Sequence, residues 1–426
     1  MSSLNVGVLG FGTVGSGVVR ILDEHKSKIS QITGYDIKVT KVLVRDLTKT
    51  RRYEDVDVAV TDNANDVIGD PSISIIVEVM GTIDIAYDYV LKSLRAGKHV
   101  VTANKDLIAL HGDHLITVAR ENNCDLFYEA SVAGGIPILR TIVNGLASDH
   151  LKKVMGIVNG TTNFMLTKMT SEGLSYETAL KQAQELGFAE SDPTNDVDGI
   201  DAARKMVILT RLSFGMNVSL DDVSTTGIRQ LTVDEIKLAD QLGYTIKLLG
   251  IAEEHNGAVD VCVTPTLLPK THPLSGVHNE NNAVFVLGEA AGETMYYGPG
   301  AGELPTASSV VSDIITVAKN TKLGTNGNAF SSYVHETNKL ADKDCLAKYF
   351  VRLKMTDETG TFLKMTQRFT EQKIGFSRIL QLPESNEQAT VVIITHETSR
   401  ENLHLALETL KNESGIVVNS HYRVED

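Results

Sequence analysis

Asp198, Asp201 and Lys205, in the stretch NDVDGIDAARK, are spaced three and four apart, so on a continuous helix they share one face. The helical pattern runs on through MVILTRLSFG. At roughly 100° per residue, Ile208, Leu209 and Leu212 fall within about 60° of Lys205, while Arg204 and Arg211 project elsewhere. An ammonium group inside an apolar stripe is costly unless a partner or a reaction uses it. Asp201, one turn earlier, favours the charged lysine, and burial opposes it. The alternative is an ordinary ion pair on a solvated surface.

A second constellation opens the chain. In VGVLGFGTVGSG, Gly10, Gly12 and Gly15 have G-x-G-x-x-G spacing, with Phe11, Thr13 and Val14 between them, directly after an apolar run and before a helical pattern. The first glycine allows a tight turn, the second lets a pyrophosphate approach the backbone, and the third lets helix and strand pack closely. The loop therefore points to a dinucleotide. The next strand ends at Arg45, with Lys49, Arg51 and Arg52 nearby. An arginine there suits a 2′-phosphate, so NADP(H) is favoured, and Asp46 beside it keeps NAD(H) open. Lys105, in TANKDLIA, follows a strand at its carboxyl end, where open α/β sheets place ligands.

The elements that position these residues are legible from periodicity. Apolar runs LNVGVLG, IKVTKVLV, ISIIVEVM, HVVTAN and CDLFYEASV alternate with amphipathic segments, which predicts a Rossmann-type doubly wound parallel sheet over residues 1–135. Residues 136–304 read as a second α+β domain with a mixed sheet, including a hairpin at HNGA. Helix 305–320 is expected to pack back on the first domain, and 321–347 reads as a linker. Residues 348–426 follow strand, helix, strand, strand, helix, strand, a ferredoxin-like unit. The 426 residues are 42% hydrophobic and 22% charged with net charge −14, an ordinary globular composition. No basic run suits nucleic acid. Three scattered cysteines suit a reducing compartment. No signal peptide or apolar run of about 18 residues is present, so the chain is expected in the cytoplasm, without a membrane.

GFGTVGSGV, GTIDIAYDYVLKSLRAGKHVVTANKDLIA, YEASVAGGIPILRTI, GIVNGTTNFML, AQELGFAESDPTNDVDGIDAARK and GPGAGELPTASSVVSD occur in that order over residues 4 to about 320. Together they resemble the homoserine dehydrogenases, and the tail resembles an ACT domain of the monofunctional members. The resemblance implies reversible NAD(P)H-dependent reduction of L-aspartate 4-semialdehyde to L-homoserine, on the route to threonine and methionine. It assigns catalytic roles to Lys205, as proton donor, and Lys105, with Asp201 holding the ammonium. Glu190 would meet the substrate's amino group, with Asp196 and Asp201 as further acceptors and Gly160 and Thr161 as donors nearby. Gly81, Thr82, Thr102, Lys105 and Gly302 join the cofactor set, Gly302 closing over the nicotinamide. A monovalent cation, Na⁺ or K⁺, would be held by Glu129 and the carbonyls of Val132, Gly134 and Ile136.

Some expectations compete. A protein that senses a dinucleotide and an amino acid without turnover is the alternative, although a sensor does not require the acid-flanked lysine. Cys124 is a rival nucleophile, but it opens a strand away from the catalytic ends. Asn163 reads as a helix cap and Asp192, before Pro193, as turn chemistry. In the tail, Asp357 and Gly360 mark a loop where L-threonine or another amino-acid effector would lodge. The apolar strands KVMGIVNG and VFVLGEAAGETMYYG need cover, which predicts a homodimer or homotetramer.

Overall fold

The computed structural model describes residues 2–49, 58–331, 335, 338–384 and 387–425, so Arg51 and Arg52 lie outside the described residues. The chain falls into two compact units. One comprises residues 1–160, 201–223 and 280–336, the other residues 161–200, 224–279 and 337–426.

Six parallel strands build the first unit: β1 (Ser2–Leu9), β2 (Tyr35–Leu43), β3 (Ala59–Thr61), β4 (Ile73–Glu78), β5 (His99–Thr102) and β6 (Leu126–Phe127), in the order β3-β2-β1-β4-β5-β6. The order reverses between β1 and β4, and ligands of such sheets bind at that switch point beyond the carboxyl ends. Val6, Val8, Ile75, Ile76 and Val77 are completely buried, because helices cover both faces and leave no polar side to the central strands. β3 escapes sequence reading: it is a three-residue edge strand with two exposed residues, and no buried apolar run marks it. The helix Glu303–Leu323 returns to this unit beside the helix Thr13–Glu24. Gly17 makes the contact possible, since a Cβ there would lie 2.8 Å from the Glu303 carbonyl oxygen. The same unit carries an antiparallel set formed by Leu151–Ile157, Asn281–Gly288 and Gly292–Pro299.

In the second unit, Tyr244–His255 and Ala258–Pro269 form a long hairpin. Its two-residue turn is Asn256-Gly257, with φ of 52° and 81°, as the Asn-Gly signal predicts. Ala258–Pro269 pairs in parallel with Ile416–Val424. That strand leads an antiparallel sheet continuing through Leu346–Thr356, Gln388–Thr395 and Phe376–Pro383. The helices Thr361–Glu371 and Arg400–Lys411 share its core through Met365, Phe369, Leu403 and Leu407. This is the expected βαββαβ order with ferredoxin-like topology. No helix among the described residues is long and apolar enough to cross a membrane.

Candidate active site

Gly10 adopts φ 104° as the chain turns out of β1, and a Cβ there would press 2.8 Å from the Val79 carbonyl oxygen. A Cβ on Gly15 would sit 2.1 Å from the Gly10 oxygen, whereas one on Gly12 would meet nothing within 4 Å. The loop is thus closed on its protein side and open at Gly12. The helix Thr13–Glu24 begins there without a side-chain cap or an acid in its first turn, so its first amides are left for an anion. Phe11, Thr13 and Val14 flank the opening and are at least partly exposed, and Arg45 is exposed just past β2. Beyond β4, Gly81 turns with φ 72°. The Thr82 hydroxyl is buried with no hydrogen-bond partner among the described residues. Gly302 is the N-cap of the Glu303 helix, at φ 122°. Thr102 faces inward: it is fully buried and its hydroxyl donates to Glu78 Oε2 at 2.6 Å. Glu78, which sequence reading passed over, is a lone acid at the end of a buried strand. Burial pushes its carboxyl above the ordinary range, opposed by Thr102 and the Met80 amide.

The two lysines converge on one carboxylate. Asn104 caps the helix Lys105–Glu121, its side-chain oxygen accepting from the Leu107 amide at 3.1 Å, and its amide nitrogen donates to the Thr82 carbonyl at 2.7 Å. Lys105 Nζ lies 3.2 Å from Asp201 Oδ1. Lys205 Nζ donates to Asp201 Oδ2 at 2.7 Å and to the Val158 carbonyl at 2.6 Å. Asn159 donates to the same Oδ2 at 2.9 Å. The lysine side chains keep 30% and 13% of their surface exposed, Lys105 and Lys205 respectively, enough for Nζ to meet a ligand. Burial works against the charge on Asp201, but Lys205 and Lys105 outweigh it and hold its carboxyl far below the usual range. Burial likewise opposes the charge on Lys105, and Asp201 with Asp106 overcomes it, leaving the ammonium above its ordinary value. Ile208, Leu209 and Leu212 are buried, so the apolar stripe around Lys205 is real.

The shared face of Asp198, Asp201 and Lys205 needs correcting. Gly199 takes φ 81° and the helix begins only at Ile200. Asp198 thereby leaves the lysine and pairs with Arg229 at 2.5 Å. Asn159 and Asn104 were missed: an asparagine acting through a distant backbone or carboxylate carries no periodic signal.

Thr161, Glu190 and Asp196 belong to the second unit, and Gly160 to the first. The Thr161 hydroxyl donates to the Phe188 carbonyl at 2.6 Å, tying the start of its helix to the loop that ends in the exposed Glu190. Asp196 lies in the short helix Thr194–Val197. Asn163 is no cap: its side chain donates to the Asn279 carbonyl at 2.8 Å and accepts from Lys247. Asp192 accepts from the Thr194 amide and hydroxyl, the turn chemistry its place before proline suggests. The Cys124 thiol is buried and pushed up to about 11 by that burial, which suits an idle residue.

Around Glu129 the backbone reverses through Ala133 and Gly134, at φ 54° and 44°. The Glu129 carboxylate accepts from the Leu139 and Arg140 amides at 2.8 and 2.9 Å, and its own amide donates to Asp313 at 2.9 Å. Arg140 pairs with Asp313 at 2.5 Å. Two buried carboxylates therefore face one guanidinium, and burial pushes Asp313 up to about 8. A proton on Asp313, or one further cation, balances the set. The Gly134 carbonyl accepts from the Ser309 hydroxyl at 2.7 Å and the Ile136 carbonyl from the Ile138 amide at 2.8 Å; these, the Val132 carbonyl and the Glu129 carboxylate are hard oxygen donors of the kind a monovalent cation takes. No group of three or more His, Cys, Asp or Glu that could hold a metal occurs among the described residues.

Comparison with known proteins gives the family. Residues 10–129 match the model described as "Homoserine dehydrogenase, NAD binding domain" and residues 137–315 the model "Homoserine dehydrogenase". The chain is 52% identical to the homoserine dehydrogenase of Bacillus subtilis, over 100% of this chain and 99% of that one. A homoserine dehydrogenase crystal structure from Thiobacillus denitrificans superposes with a TM-score of 0.95 at 35% identity, covering 100% and 99%. A hyperthermophilic archaeal homoserine dehydrogenase in complex with NADPH superposes with a TM-score of 0.63 at 28% identity, covering 76% and 100%. With a switch-point dinucleotide loop, a carboxylate-bridged lysine pair and full-length likeness, the chain belongs to the homoserine dehydrogenase family.

Proposed function

We propose that, in this NAD(P)-dependent reduction of L-aspartate 4-semialdehyde to L-homoserine, Lys205 is the group that exchanges a proton with the substrate oxygen. Lys105 assists it, and Asp201 holds both ammonium groups. The observation that carries this reading is the single carboxylate within 3.2 and 2.7 Å of the two lysines. When bound, the nicotinamide supplies the hydride. As negative charge develops on the aldehyde oxygen, a Lys205 N–H bond breaks and the O–H bond of the alcohol forms. In the reverse direction the neutral amine takes that proton back. Glu190, with Asp196 and Asp201, receives the substrate ammonium, and Gly160 and Thr161 are the donors offered to the substrate.

NADP(H) is the preferred dinucleotide, with Arg45 on its 2′-phosphate and NAD(H) the weaker substrate. The archaeal relative's complex with NADPH supports this. Na⁺ or K⁺ sits at Glu129, Val132, Gly134 and Ile136 as a structural charge. The C-terminal unit acts as an ACT domain binding L-threonine or another amino acid near Asp357 and Gly360, the latter starting the helix Thr361–Glu371 at φ 98°. The half-exposed edge strand Gly292–Pro299, with Met295 and Tyr297 outward, supports a homodimer or homotetramer, working in the cytoplasm.

Single-turnover hydride transfer tests the central assignment. Lys205→Met should lose about 10²- to 10⁴-fold in rate with NADPH binding retained, and Lys105→Met should lose less in rate. A Lys205→Met rate near that of the parent would reject the reading.

A further inference from the structure

The helices that begin with the lysine cluster, Lys105–Glu121 and Ile200–Phe214, enclose a second space farther along their length. It is a cavity of about 310 Å³ within the first unit, at the small end of the ~300–1,000 Å³ range of small-molecule sites. Ile108 and Ile116 line it from one helix, Ile208 and Leu212 from the other, and Phe330 from the segment that follows the Glu303 helix. Thr117, Asn217 and Ser331 add uncharged polar groups to the lining, and its charged groups, Asp113, Arg120 and Arg211, are unbalanced. Arg211 reaches in half-buried, with Nε donating to the Val218 carbonyl at 3.0 Å and Nη1 to the Ile108 carbonyl at 3.3 Å. Its remaining nitrogen, Nη2, has no partner, and no carboxylate pairs with this guanidinium among the described residues. Asp113, exposed at the mouth, likewise has no side-chain partner among the described residues. Burial works against the charge on Arg211, and the Asp113 carboxylate opposes that effect. Arg120, at the rim, is tied to Ser331 at 2.7 Å.

A half-buried cation, a carboxylate and an aliphatic wall around one small space define a ligand chemistry. We propose that this cavity binds an α-amino acid with an apolar side chain, its carboxylate on Arg211, its ammonium on Asp113 and its side chain between Ile108, Ile208, Leu212 and Phe330. A carboxylate on Arg211 would be charge-assisted and partly desolvated, the condition in which such hydrogen bonds count most.

The site is coupled to the lysine cluster by construction. Three polar ties join the two helices: Lys105 to Asp201 at 3.2 Å, Asp106 to Arg204 at 3.3 Å, and Arg211 to the Ile108 carbonyl. An occupant that engages Arg211 loads the third tie and so bears on the spacing set by the other two. Binding itself does not depend on Lys205 being the proton donor. The effect on rate rests on that reading, and the two readouts separate the failures.

The test is calorimetric titration of the full chain with three probes: L-norleucine, hexanoate, which lacks its amino group, and pentylamine, which lacks its carboxylate. Norleucine is expected to bind, and hexanoate and pentylamine at least about tenfold more weakly. Asp113→Asn should weaken norleucine about tenfold and leave hexanoate unchanged. Gly112→Leu, which removes no hydrogen bond and places its side chain toward Ile108 and Arg211, should abolish binding of all three. Saturating norleucine should change kcat or KM at least about twofold. No heat at ~10 mM norleucine, or undiminished binding in Gly112→Leu, would overturn the site. Binding without any kinetic change would overturn the coupling.

Discussion

Asp201 carries two ammonium groups on one carboxylate, so its loss should disturb both. Asp201→Asn is expected to lower kcat about a hundredfold. It should also move the alkaline limb of the pH–rate profile downward, because Asp201 is the strongest influence holding Lys105 above its ordinary value. Stability should follow the opposite group. The folded Asp201 titrates below its unfolded value of 3.8, so its contribution is present above about pH 4 and is lost as pH falls further. Urea denaturation below that pH should find the Asn variant less acid-sensitive than the parent. On the cofactor side, Arg45→Ala should raise KM for NADPH about tenfold and leave KM for NADH nearly unchanged, since only the former brings a phosphate to the guanidinium. Equal effects on both dinucleotides would remove Arg45 from phosphate recognition.

Elements set where these residues stand, and the glycine loop and the Glu129 turn are the two most exacting. Gly15→Ala would force a methyl group to 2.1 Å from the Gly10 oxygen. It should cost dinucleotide affinity more than it costs stability of the remaining sheet, measured by fluorescence titration with NADPH. At the Glu129 turn, Asp313 is raised to about 8 from 3.8. Its proton stabilises the fold below the unfolded value and that stabilisation is lost as pH rises toward 8, at about 1.4 kcal/mol per pH unit. Asp313→Asn should remove this slope from chemical denaturation between pH 5 and 8, and added Na⁺ or K⁺ should flatten it in the parent by supplying the charge the proton otherwise brings. The elements themselves were legible where the signal is local. Contiguous apolar runs gave five of the six strands of the parallel sheet, Asn256-Gly257 gave the hairpin, and the stripe around Lys205 gave a largely buried lysine side chain. Gly199 was in plain view, yet the helical spacing of Asp198 was read through it. The Val158 carbonyl and Asn159 were hidden for a different reason: they reach Lys205 and Asp201, respectively, across more than forty residues, and only the tertiary fold joins them.

For the molecule as a whole, the C-terminal ferredoxin-like sheet is continuous with the long hairpin of its unit, and the seam is ionic. Arg423 and Arg400 both reach Asp260, and Arg423 also pairs with Glu425 at 2.5 Å and Glu253 at 3.1 Å. Burial opposes the charge on Arg423, but its carboxylates keep it firmly protonated. Breaking such a network by removing one partner leaves buried charge uncompensated and costs about 3–5 kcal/mol. Arg423→Ala should therefore lower the midpoint of thermal unfolding markedly, while Arg423→Lys recovers only part of it. None of this seam was legible beforehand, because a strand register pairing Thr266 with Arg423 leaves no trace in either segment alone.

The central claim is that the ammonium of Lys205 supplies the proton, and chemical rescue addresses it most directly. Lys205→Ala, assayed for NADPH oxidation with L-aspartate 4-semialdehyde, should fall about 10²- to 10⁴-fold in kcat and recover in proportion to added methylammonium, which can enter the space the side chain vacates. A variant that retains most of its turnover, and is indifferent to the amine, would contradict the account.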